Sequence, residues 1–242
     1  MRITRVEIFP LTKIRYKRPF KISRGYVGGP KMKWGFHVIA KVYTDDGIVG
    51  FGEARANNPH QHETTWSVVA ALEHFYGPAL IGRNPFDIEA IMSDFDGLLP
   101  ENYHARTVVD FALYDIMGKA TGQPVCNLIG GRVHEKVPVK FPISQGTSEE
   151  MVEEALRIIS ETGARYLKIK IGQSEKINQD LANIAAIRKA VGDDVKLQVD
   201  ANAGYRSFWE ALGVLGRVEE YGIALIEQPL PKWDLEGMAE LA

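Results

Sequence analysis

Four short apolar runs in the second half of this 242-residue chain end in residues that can do chemistry. Ser144 follows Phe141-Pro142-Ile143, Lys168 and Lys170 alternate around Ile169, Asp200 closes Val195–Asp200 ahead of Asn202, and Glu227 closes Ala224–Glu227 ahead of Gln228. On a strand, residues two apart share a face, so both lysines project together and Ile169 points the other way. If that face is enclosed, each ammonium disfavours protonation of the other and burial adds to the effect. A lysine pKa then falls toward neutrality, which makes a usable base. Two carboxylates from successive strand ends repel and call for a cation, and hard oxygen donors suit Mg²⁺, which keeps several of its waters. Each feature also has a plainer reading. The lysines can sit on the solvent face of an edge strand, Asp200 or Asn202 can cap the next helix, and Glu227 can pair with one of the lysines.

These residues need a scaffold that brings strand ends together. From Val137 the chain alternates strand and helix: strands at Val137–Ile143, Tyr166–Ile171, Val195–Asp200 and Ala224–Glu227, with helices at Ser148–Glu161, near 175–191 and near 207–221, and another from Asp234. Strand starts at 137, 166, 195 and 224 repeat every 29 residues, the signature of βα units that build a parallel sheet. In such sheets reactive groups gather at the carboxyl ends of strands. No GxGxxG or Walker-type loop follows any strand, which disfavours an open nucleotide-binding sheet.

The first half reads differently. Arg2–Leu11, Trp34–Thr44 and Ile48–Ala54 are strand-like, the last two joined by the hairpin signal Asp45-Asp46-Gly47. Arg18–Lys33, rich in Gly, Pro, Lys and Arg, reads as a long mobile loop. Helices are expected at Glu63–Tyr76, at Pro85–Phe95 with Asn84 as cap, and at Ala105–Thr121 with Val108, Phe111, Ala112 and Asp115 on one face. This makes residues 1–130 an α+β domain and residues 131–242 the first four βα units of an α/β (TIM-type) barrel. About half a barrel is present, since eight units need roughly 200 to 250 residues.

Composition narrows the partners. With 29 Lys+Arg against 31 Asp+Glu the formal charge is -2, which gives no electrostatic case for nucleic acid. No apolar run approaches the roughly 20 residues of a membrane span. The single cysteine, Cys126, cannot form an internal disulfide. A cytoplasmic protein that binds a small molecule is the expectation.

Lys168-x-Lys170, Asp200-x-Asn202 and Glu227-Gln228-Pro229 on consecutive strands, behind an α+β domain, resemble the mandelate racemase/muconate lactonizing branch of the enolase superfamily. Ile48–Glu53 and the stretch from Asp110 to Gly130 also look like that family's N-terminal capping domain. The resemblance implies a common half-reaction, in which a substrate carboxylate chelates Mg²⁺ and a lysine removes the proton α to it while the metal stabilises the enediolate. Carried over residue by residue, Lys170 is the base, Lys168 its pKa-lowering neighbour, and Asp200 and Glu227 are metal ligands. Asn202, Ser144 and Gln228 orient substrate. The loop around Ser23 and Tyr26, with the segment Asn57–His62, closes over it.

The same resemblance implies a third carboxylate and an opposite-face acid/base beyond Ala242, so this chain is expected to be a fragment of low turnover whose uncovered faces favour homo-oligomers. The implied activities are cycloisomerase, racemase or epimerase, and acid-sugar dehydratase. Two alternatives use the same residues differently: an aldolase with a Schiff base on Lys170, and a non-catalytic binding module formed by the truncated barrel.

Overall fold

The computed structural model describes residues 1–11, 20–23, 25–28, 36–56, 62–173 and 176–242. Its strands are β1 (Ile3–Leu11), β2 (Phe20–Ile22), β3 (Gly25–Gly28), β4 (Phe36–Thr44), β5 (Val49–Ala56), β6 (Phe141–Ile143), β7 (Tyr166–Lys170), β8 (Lys196–Asp200) and β9 (Ile223–Glu227). Its α-helices are α1 (Thr65–Ala71), α2 (Gly77–Leu80), α3 (Ile88–Leu98), α4 (Tyr103–Thr121), α5 (Val125–Leu128), α6 (Ser148–Thr162), α7 (Ile177–Val191), α8 (Phe208–Val218) and α9 (Leu235–Leu241). The chain divides into two units, Met1–Arg15 with Lys33–Lys136, and Tyr16–Met32 with Val137–Ala242.

In the first unit β1, β4 and β5 form an antiparallel sheet in that order, with the expected tight turn at Asp45-Asp46-Gly47. Helix α4 lies directly on β5. A Cβ on Gly50 would stand 2.2 Å from the Ala112 carbonyl oxygen and one on Gly52 1.7 Å from that of Val108, so these glycines are what lets helix and strand backbones touch. The helix buries Ala105, Val108, Val109, Ala112, Leu113 and Ile116. Phe111, expected on that face, is 54% exposed because the buried stripe runs one residue further round. Cys126 is half-buried.

Two helix boundaries also move. The expected helix at Pro85–Phe95 begins at Ile88. Asn84 does not cap it; its side chain instead binds the Phe86 amide (3.3 Å) and Asp87 (3.1 Å), closing a turn that delays the helix. The expected helix Glu63–Tyr76 is α1 followed by a π-helical turn over Leu72–Tyr76, which runs on into α2.

The second unit holds β6, β7, β8 and β9 as a parallel sheet in sequential order, with a helix after each strand: four βα units of a barrel. Leu167, Ile169, Leu197 and Val199 face the helices and pack with Met151, Ala155, Ile184, Ile187, Ala211 and Val214. The alternate residues face the other side of the sheet. Helix α6 is capped by Thr147 rather than Ser148, in a capping box with Glu150. The strand expected at Val137–Ile143 is confined to its last three residues, with Val137 and Val139 exposed. The segment read as a loop at Arg18–Lys33 contains the antiparallel hairpin β2–β3. That hairpin belongs to the second unit, where the Lys21 amide donates to Ser144 Oγ at 2.9 Å and the Gln145 amide donates to the Lys21 carbonyl at 3.0 Å.

Candidate active site

The parallel register aligns Lys170 with Asp200 and Asp200 with Glu227, and one level below it aligns Lys168 with Gln198. Period-two alternation turns all five side chains to the face opposite the helices. The result is a compact polar cluster at the strand ends. Lys170 Nζ donates to Asp200 Oδ2 at 2.5 Å. Lys168 Nζ stands between the two acids, 3.4 Å from Asp200 Oδ2, 2.9 Å from Glu227 Oε2 and 3.2 Å from Glu227 Oε1. Lys170 is 8% and Asp200 1% exposed, whereas the Glu227 side chain, at 39%, is open to solvent.

Lys168, expected as the charged neighbour of the base, has its electrostatics set by the two acids. Burial, the largest influence, pulls its pKa down. The hydrogen bond and charge of Glu227, and then those of Asp200, outweigh burial, so the pKa lies above the ordinary lysine value. Lys168 is therefore a firm cation. The general argument from paired lysines counted the neighbouring amine and burial but not two carboxylates at contact distance. Burial is also the largest influence on Asp200 and favours its neutral form. Lys170, the Asn202 amide and Lys168 together hold its pKa below the usual carboxylate range.

Two residues beneath the rim were not singled out from the sequence. Gln198, fully buried, donates from Nε2 to Glu227 Oε2 and accepts from Lys140 Nζ at 2.7 Å and Tyr166 OH at 3.4 Å. Lys140 Nζ also lies 3.8 Å from Glu227 Oε2. The signal available for Gln198 was its place two residues before Asp200, on the same strand face.

The remaining candidates take varied places. The Asn202 amide donates to Asp200 Oδ1 at 2.9 Å, while its buried Oδ1 has no partner among the described residues. Asn202, Ala203 and Gln228 all adopt left-handed backbone (φ 50°, 58° and 44°), an uncommon conformation for residues with a Cβ, and all three lie just past strand ends that carry a carboxylate. Gln228 Nε2 donates to the Leu230 carbonyl at 2.7 Å, within its own loop. Ser23 Oγ donates to the Ala201 carbonyl at 2.8 Å, next to Asp200. Ser144 Oγ receives the Lys21 amide. Tyr26 lies on β3, where its backbone pairs with Lys21; its side chain falls outside the described set, as do residues 57–61.

Two carboxylates whose oxygens converge on one ammonium also suit a divalent cation at that point. The donor set of Asp200 and Glu227, all hard oxygen, fits Mg²⁺ as two protein ligands of an octahedron completed by water or substrate. Among the described residues no group of three or more His, Cys, Asp or Glu converges on one such point. Among the described residues, too, no helix is long and apolar enough to cross a membrane.

Residues 5–130 match the N-terminal domain model of mandelate racemase/muconate lactonizing enzyme, and residues 150–242 match the enolase C-terminal domain-like model. The whole chain is 36% identical to N-succinyl-L-Arg/Lys racemase of Bacillus cereus, covering 63% of it, and 35% identical to L-Ala-D/L-Glu epimerase of Bacillus subtilis, covering 64%. The racemase's crystal structure superposes over the whole chain with a TM-score of 0.92. A dipeptide epimerase from Enterococcus faecalis complexed with Mg and the dipeptide L-Leu-L-Tyr superposes over 98% of the chain with a TM-score of 0.89, at 32% identity. Muconate cycloisomerase 1 of Pseudomonas putida is 32% identical over 212 residues. The chain spans about three-fifths of the length of these relatives.

Proposed function

Because the chain belongs to the mandelate racemase/muconate lactonizing enzyme family of the enolase superfamily, we propose that its second unit carries the base and two metal ligands of a site that removes a proton α to a substrate carboxylate. The observation that carries the reading is the row Lys170, Asp200, Glu227, with Lys168 held between the two acids. Asp200 and Glu227 would hold Mg²⁺. Bound there, the ion supplies the positive charge that makes a second negative charge on the substrate carboxylate tolerable.

Lys170 is the base. It is the more buried of the two lysines and its Nζ touches one carboxylate, so engagement of Asp200 elsewhere leaves the amine facing the substrate. Lys168 stays charged and serves as an electrostatic contact for the substrate carboxylate. Gln198, fixed by Lys140 and Tyr166, holds Glu227 in place from below. Ser23 and the Asn202 side chain stand beside the same rim and are its orienting groups.

Among the relatives that match the chain along its whole length are an N-succinyl-L-Arg/Lys racemase and an L-Ala-D/L-Glu epimerase. N-acylated amino acids and dipeptides are therefore the substrates to assay. Exchange of the α-proton for solvent deuterium needs a base on one face only, so it reads the half-reaction without a completed inversion. We expect Mg²⁺-dependent exchange that falls by about 100-fold or more in K170A. Exchange at the wild-type rate in K170A, or exchange indifferent to EDTA, refutes the assignment.

A further inference from the structure

The Lys170–Asp200 contact depends on how two adjacent strands are held at their exits, and the structure places one buried carboxylate at that junction. Asp180, in the first turn of α7 and fully buried, accepts through Oδ2 from the Gly172 amide at 2.9 Å, the Gln173 amide at 3.0 Å and the Tyr205 hydroxyl at 3.3 Å. Gly172 and Gln173 lie two and three residues past Lys170. Tyr205 lies five past Asp200, in the loop ahead of α8. The two loops meet backbone to backbone. A Cβ on Gly172, which has φ +94°, would stand 2.3 Å from the Ala201 carbonyl oxygen, and one on Gly204 2.1 Å from the Gly172 carbonyl oxygen. A junction this tight leaves inward-pointing amides that need an acceptor.

We infer that Asp180 is a positioning residue: its carboxylate ties the exit of β7 to the exit of β8 and so sets Lys170 opposite Asp200. Around it the strand exits are already laced together. The Ile171 amide donates to the Asp200 carbonyl at 3.0 Å, the Ala201 amide donates to that of Glu227 at 3.1 Å, and Gln145 Nε2 donates to that of Ile171 at 2.7 Å. Asp180 is the carboxylate of this network, and the three donors on one oxygen favour its charged form. Burial, the larger influence, pushes its pKa up to about 6. Tyr205 is the titratable group facing it, itself pushed far above the usual tyrosine value by burial and then by Asp180. Glu210, paired with the Arg206 amide, acts on Tyr205. Among the described residues no Lys, Arg or His forms an ion pair with Asp180, so nothing but hydrogen bonds holds the charge.

The inference uses the proposed reaction only to say why the spacing matters, and its test does not need turnover. In ¹H–¹⁵N NMR spectra of the 242-residue chain between pH 4.5 and 8, the Gly172 and Gln173 amide protons should titrate together with a midpoint near 6. In D180N that titration should vanish and the Lys170 side-chain resonances should shift. Y205F, which removes one donor and keeps the carboxylate, should raise the shared midpoint, and it decides the matter if D180N fails to fold. Amides that stay flat while the Asp180 carboxyl titrates, Lys170 signals unmoved in a folded D180N, or an unchanged midpoint in Y205F would overturn the inference. Absence of α-proton exchange in the wild-type chain counts against the reaction alone, because the amide titration stands apart from it.

Discussion

Removing the charge of Asp200 should unbalance the whole row, and the size of the effect follows from its geometry. The ion pair to Lys170 is 2.5 Å long, and Lys168 stands 3.4 Å away. At an effective dielectric of about 20 the first contact is worth roughly 7 kcal/mol of gross attraction and the second roughly 5. Desolvating groups that are 8% and 1% exposed cancels several kcal/mol of this. D200N keeps the shape but leaves the Lys170 ammonium without its carboxylate, for which a loss of about 3–5 kcal/mol is expected. K170M costs less, since Asp200 keeps Lys168 and the Asn202 amide. The double variant K170M/D200N should be more stable than the sum of the single losses implies, by about 2 kcal/mol or more. Urea unfolding of the four proteins at pH 7, followed by far-UV circular dichroism, measures this coupling. If the two losses add to within about 0.5 kcal/mol, the pair does not interact as the geometry says and the site loses its foundation.

Further outcomes follow from the same contacts. The Asp180 carboxyl has a folded pKa of about 6 against an ordinary 3.8, so the folded state binds that proton more tightly than the unfolded one. Stability from this group is thus fully present below about pH 4 and declines as pH rises to about 6, by up to about 3 kcal/mol; comparison of wild type with D180N at pH 4 and pH 7 should show that loss in the wild type alone. G204A pushes a methyl into the Gly172 carbonyl and should cost about 2 kcal/mol or more in thermal melts. G213A, on the open side of α8, should gain up to about 1 kcal/mol in the same assay. By titration calorimetry D200N and E227Q should abolish Mg²⁺ binding, and Q198L should weaken it about 10-fold to 100-fold, since Glu227 loses the amide that orients it.

The chemistry was legible in the sequence where one short-range rule decided it. Lys168 and Lys170 share a face because strands alternate, and Asp200 and Glu227 meet because units of equal length bring their strands into equal register. What escaped depends on contacts no local rule supplies. The direction of the Lys168 shift is set by which carboxylates the register brings to its ammonium. Asp180 reads as an ordinary first-turn acid until Gly172 and Tyr205 fold onto it. Lys140 reads as an ordinary charged residue until it reaches Gln198 across the intervening strand β7. Errors in the elements have similar causes. Thr147 and Ser148 are both good caps, and Glu150, three residues after Thr147, was the deciding signal. The hairpin β2–β3 hides in a Gly-rich segment because its partners, Ser144 and Gln145, lie about 120 residues away.

The charge count of the row also bears on the proposed role of Lys170. Three ammonium groups, Lys140, Lys168 and Lys170, meet two carboxylates, Asp200 and Glu227, leaving one net positive charge on one sheet face. That excess suits an organic anion, and the ammonium groups offset the repulsion between two acids at adjacent strand ends. A divalent ion held by the same acids raises the local excess to three. Surplus positive charge beside the buried Lys170 and Asp200 is relieved by binding an anion, which on the proposed reading is the substrate carboxylate. On the proposed reading the carboxylates that pair with Lys168 and Lys170 would also take the metal, so titration calorimetry should show Mg²⁺ binding more tightly to K170M, in which Asp200 has lost a competing ammonium, than to wild type, and equal or weaker binding to K170M would refute that competition.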